Sequence, residues 1–110
     1  MDEIAELRAA LDRLHAAMDD LVVRGLRSAG PPDLARLGAL RDEFRDAGAA
    51  HLAERLGVLL DAVRADDRAA APALLRAITT FRLFDRVLTL EVAGAALAGP
   101  TGNAADTEDE

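Results

Sequence analysis

Few residues in this chain have side chains suited to catalysis or ligation. It holds two histidines, His15 and His51, a single serine, Ser28, and no cysteine, tryptophan or tyrosine among its 110 residues. Without cysteine there are no disulfides, thiolate metal sites, iron–sulfur clusters or thiol nucleophiles. His51 is followed by Glu54, and this spacing puts an imidazole and a carboxylate on one face of a helix, where together they supply two metal ligands. Metal sites in bundles draw further carboxylates and histidines from other helices, and here the inward positions are aliphatic, so the pair reads as a surface ion pair or a first-turn contact. His15 adjoins Leu14 beside an apolar seam, the usual place for an imidazole at the rim of a core. Ser28 lies between Arg27 and Ala29, outside any G-x-S-x-G turn that would supply a base and an oxyanion hole. The acid pairs Asp19-Asp20, Asp42-Glu43 and Asp66-Asp67 diverge by about 100° on a helix, so they form solvated faces and caps rather than shared-proton pairs. The expectation is a non-enzymatic protein that uses no cofactor and no metal.

An exposed histidine on a helical bundle of this size also suggests a phosphotransfer module of two-component signalling. Such modules carry a Lys and a Gly in the turn after the histidine. This chain reads His15-Ala16-Ala17-Met18-Asp19-Asp20 and His51-Leu52-Ala53-Glu54-Arg55-Leu56. The first places acids where phosphate charge would develop, and the second has Glu54 where the cation belongs. Phosphotransfer therefore stands as an alternative function. A third is the binding of a small apolar ligand between Phe44, Phe81 and Phe84, the only three aromatic residues with large apolar rings.

The elements that must position these residues are helical. Half of the chain, 51%, is hydrophobic, yet aromatics make up 3%, and the aliphatics are mostly Leu and Ala, strong helix formers, with few β-branched residues. Ile4, Leu7, Leu11, Leu14, Met18 and Leu21 recur at spacings of three and four, which draws one stripe along a first helix over 2–27. Gly30-Pro31-Pro32 breaks it, and Asp33 is positioned to cap a second helix over 33–47 carrying Leu34, Leu37, Leu40 or Arg41, and Phe44 on one side. Gly48 ends that helix. A third, 50–65, presents Leu52, Leu56, Leu59, Leu60 and Val63. The fourth, 69–98, starts after Asp67 with Pro72 near its first turn and stops at Gly99-Pro100. The sum is an all-α fold, a four-helix bundle with two long helices, the first and the last, and a short helical hairpin between them. One bundle domain covers 1–99, and 100–110 form a disordered acidic tail.

Charge bounds the partners. The chain carries 20 acidic and 13 basic residues, a net charge of −7, which leaves no basic face to neutralise phosphates and argues against nucleic acid. The acidic start Met1-Asp2-Glu3-Ile4 is unlike a secretory signal, and no apolar run approaches the length of a membrane span, so a cytoplasmic location without membrane contact is expected. Every basic residue is Arg, a bias typical of a GC-rich bacterial genome. Arg24 and Arg27 flank Gly25 as cations complementing a helix C-terminus. Arg76, Arg82 and Arg86, interrupted by Asp85, are expected to pair with the acidic first helix.

The last helix asks for a partner. Residues 87 to 98 carry one charge, Glu91, and the small residues Gly94, Ala95, Ala96 and Ala98 allow close approach. More apolar surface stands there than three neighbouring helices cover, and such surface marks an interface. The expected interface residues are Phe84, Val87, Leu88, Leu90, Val92 and Leu97. The function that follows is a protein–protein interaction module, a small adaptor or regulatory subunit, most directly a homodimer or other homo-oligomer, with a basic protein as the alternative partner.

Overall fold

The computed structural model describes residues 3–98, with side chains through Gly94. It is an all-α four-helix bundle: α1 spans Glu3–Arg24, α2 Pro31–Asp46, α3 Ala50–Arg64 and α4 Ala70–Ala98, with a 3-10 turn at Leu26–Ser28. The expected domain limit at 99 and the tail 100–110 lie outside the described residues.

The helix ends follow from local chemistry. α1 stops at Arg24, three residues short of the expected end, because Gly25 takes a φ of +90°, a conformation that glycine adopts at no steric cost. The Gly25 amide still donates to the Leu21 carbonyl at 2.7 Å, and the 3-10 turn follows. α1 is therefore about 33 Å long and α4, with 29 residues, about 43 Å at a rise of about 1.5 Å per residue. The last helix is the longest, as its expected bounds implied. α2 begins two residues earlier than expected, at Pro31, with Gly30 as its N-cap. The two prolines occupy first-turn positions whose amides have no helical partner to lose. Asp33 is consequently not the cap; it sits at the third helical position and its Oδ2 accepts the Gly30 amide at 2.9 Å.

Both inner turns close in the same way. After α2, the Ala49 amide donates to the Phe44 carbonyl at 2.8 Å and Gly48 to Arg45 at 3.1 Å, with Gly48 at φ +92°. After α3, Asp67 donates to Ala62 at 2.9 Å and Asp66 to Val63 at 3.1 Å, with Asp66 at φ +51°. These are Schellman ends, which need one left-handed residue. Glycine holds that place once and aspartate the other time, so substitutions of opposite sense are expected to have opposite signs. Gly48→Ala should destabilise by about 1 kcal/mol and Asp66→Gly should stabilise by about 0.5 kcal/mol. Chemical denaturation of both variants checks this, and a neutral Gly48→Ala would contradict it. Asp67 then accepts the Ala69 amide on Oδ1 at 3.0 Å, which turns the chain into α4.

The apolar spacings map onto the core. Leu11, Leu14, Met18 and Leu21 of α1, Leu37, Leu40 and Phe44 of α2, Leu52, Leu56, Leu59 and Leu60 of α3, and Leu74, Ala77, Phe81 and Leu88 of α4 are buried in one cluster. Leu34, Val63 and Phe84 pack against its edge, as does Leu7. Ile4, the first residue of the α1 seam, is 48% exposed, so the seam leaves the core at its N-terminal turn. α3 packs extensively on α2 and α4, whereas α1 lies on α2 and touches α4 only lightly. Polar links tie α1 down: Arg13 grips Glu43 of α2 through both guanidinium nitrogens at 3.1 and 2.8 Å, Arg24 reaches Asp33 of α2, and Arg8 donates to Asp85 and Thr89 of α4. Higher up, the His15 ring stacks on Phe81 with centroids 5.7 Å apart. Residues 8 and 15 thus meet 85–89 and 81 in reversed order, which makes α1 and α4 antiparallel.

Candidate functional site

A cleft lined by Leu7, Ala10, Glu43, Asp46, Ala47 and Leu88, among others, marks where the α2–α3 turn ends against α1 and α4. Past that level α4 has no third or fourth helix beside it, and every described residue from Thr89 to Gly94 is exposed. At the same end of this antiparallel pair, residues 3–6 of α1 are exposed as well.

Two sets of apolar side chains stand out on α4. Ala73, Leu74, Ala77, Phe81 and Leu88 face the core. Leu83, Val87 and Leu90, at 60%, 51% and 64% exposure, form an outward stripe that the exposed Gly94 continues. Their spacing is four, three, four, and at about 100° per residue this keeps them on one side of the helix, well away from the core face. Val92 belongs to neither group: it lies with Ile4, Ala5, Arg8 and Thr89 in a shallow cleft along α1.

The expected interface set is thereby sorted. Val87 and Leu90 are on the outward stripe and Phe84 is partly buried at the edge of the core. Leu88 is corrected: at 6% exposure it is part of the chain's own core, because its position continues the Ala77 and Phe81 face. Val92 is exposed but turned toward α1. The Leu97 side chain lies outside the described ones, though its number continues the stripe three residues past Gly94. Leu83 belongs to the stripe and was missed by sequence reasoning; the signal was the alternation 83, 87, 90, 94, 97, hidden among the other apolar residues of the helix.

Measured against protein-family models, curated proteins and solved structures, the chain matches none. No helix among the described residues is long and apolar enough to cross a membrane.

The residues singled out for chemistry are placed apart. His15 and His51 are both exposed; His15 Nε2 is 3.4 Å from Asp19 and His51 Nδ1 3.8 Å from Glu54, each one turn along its own helix. Phe44 and Phe81 are buried among aliphatic neighbours, with Phe84 at the edge of that cluster. The expected pairing of α4 arginines with α1 is reversed in sense, since it is Arg8 of α1 that reaches Asp85 of α4. Among the described residues no carboxylate lies within ion-pair distance of Arg76, Arg82 or Arg86. All three arginines are exposed.

Arg24 joins two helices. Its guanidinium donates to Asp20 at 2.7 Å and to Asp33 at 2.8 Å, with Arg36 3.7 Å from the same Asp33. The Gly30 amide, then the Arg24 guanidinium, hold the Asp33 carboxyl below the usual carboxylate range, and Arg24 does the same to Asp20. A carboxylate depressed in the folded state stabilises the fold fully above its unfolded pKa of about 3.9 and loses that contribution as pH falls through the lower folded value. The advantage of the wild type over Asp33→Asn in thermal midpoint is therefore expected to be constant near neutrality and to shrink below about pH 4. An advantage that stays the same at acid pH would mean that the charge of Asp33 contributes nothing.

Proposed function

We propose that the protein is a non-enzymatic interaction module, a small adaptor or regulatory subunit of the cytoplasm, that self-associates through the outward stripe of α4. The observation that carries this reading is the row Leu83, Val87 and Leu90, each more than half exposed and spaced as a helix-pairing seam. Isolated exposed leucines are ordinary on protein surfaces, but a contiguous apolar row at seam spacing is the pattern that helices bury against one another. The net charge of −7 favours a basic protein as any further partner.

Sedimentation velocity between about 1 and 100 µM tests it, a range that brackets the dissociation constants of small reversible helix interfaces. A sedimentation coefficient that climbs from monomer to a larger species supports the reading. A monomer at every concentration overturns it.

A further inference from the structure

We propose that the second copy docks on α4 in parallel and in register, as a dimer locked by Arg86 of each chain against Glu91 of the other. This rests on the self-association reading above and adds to it the orientation, the stoichiometry and the residues that select them.

The first support is the kind of side chain at each seam position. In a heptad seam the two core positions alternate at spacings of three and four, and a β-branched residue at the position that follows a gap of four, with Leu at the position that follows a gap of three, favours two parallel strands. Val87 follows Leu83 by four and Leu90 follows Val87 by three. Val87 is thus the β-branched position and Leu83 and Leu90 the leucine positions. Gly94, next in the β-branched series, is exposed and has nothing within 4 Å of where a Cβ would stand, so the second helix has room to come close there.

The second support is charge. In a parallel pair, the residue just before the β-branched position of one helix faces the residue five places later on the other. Those residues here are Arg86 and Glu91, and two-fold symmetry makes the pair twice. Both are exposed, and neither has an ion-pair partner among the described residues of its own chain. They cannot satisfy each other within one helix, because five residues correspond to a rotation of about 140° away from one another. An antiparallel arrangement brings the Arg86 edge against its own kind and the Glu91 edge against its own kind, which leaves both charges without an opposite.

The test is charge reversal followed by sedimentation equilibrium of the full chain. R86E and E91R are each expected to weaken the dimer about tenfold or more, and the double variant R86E/E91R to restore it to near the wild-type constant. The positions are exposed and outside the core, so the monomer fold tolerates all three. If the wild type dimerises but single reversals change nothing, or the double variant is no better than either single one, the parallel register is overturned while self-association stands. If the wild type is a monomer throughout, the self-association reading fails and this inference fails with it.

Discussion

Phe44→Ala is expected to remove about 3–5 kcal/mol of stability, the largest loss of any single truncation in this chain. The ring is wholly buried in the cluster that joins all four helices. Truncating it removes the largest fully buried side chain and leaves a cavity that helices pinned by short turns cannot close. The Phe44 carbonyl, which accepts the Ala49 amide, is unaffected, so the loss reports packing and not the turn. For a domain of this size a total stability of about 5–15 kcal/mol is typical, and the variant would stand near the edge of folding. Urea denaturation followed by circular dichroism should show a large drop in midpoint with an unchanged slope. A loss below about 1.5 kcal/mol would mean that the ring is not part of a tightly packed interior.

The second large effect separates two leucines that are neighbours on α4. Leu88→Asp is expected to cost about 3–5 kcal/mol or to prevent folding, because it places a carboxylate inside the core without a partner. Its surroundings make this worse: the cleft that Leu88 borders is also lined by Glu3, Glu6, Glu43, Asp46 and Glu91. Leu90→Asp, on the outward stripe, should change the stability of the dilute monomer by no more than about 0.5 kcal/mol. Its cost falls on self-association instead. Each leucine buried at an interface contributes about 1.5–3 kcal/mol, and a symmetric dimer loses two, so the dimer should weaken by at least about a hundredfold. Thermal unfolding at low concentration and sedimentation at high concentration read the two effects independently. A Leu90→Asp variant that sediments as the wild type does would exclude the stripe as the interface.

The distribution of these effects explains what was legible in the sequence. The four helices and most of the core follow from spacing alone, since Leu11, Leu14, Met18 and Leu21, or Leu37, Leu40 and Phe44, leave one side of a helix greasy and the other charged. The end of α1 was not legible, because Gly25 falls on a seam position and the period continues through it; only its left-handed backbone shows the stop. α4 posed the larger problem. Its apolar residues surround most of the helix, and two different stripes, one through Phe81 and Leu88 and one through Leu83, Val87 and Leu90, obey the same helical period. Periodicity identifies a stripe but not which stripe faces inward. That choice is made by the neighbours, through α3 on one flank and the Arg8–Asp85 link to α1 on the other. Leu88 and Leu83 exchange roles accordingly.

No polar or charged side chain is buried among the described residues. An interior made only of hydrocarbon has no hydrogen bond that would be orphaned when one aliphatic residue replaces another, and volume-conserving exchanges in such an interior cost less than about 1.5 kcal/mol. Leu, Met and Ile can therefore drift through its positions over evolutionary time. Gly25, whose φ of +90° and ψ of 148° place it near a region that only glycine adopts readily, has less freedom, so descendants of this chain should keep that bend longer than their filling.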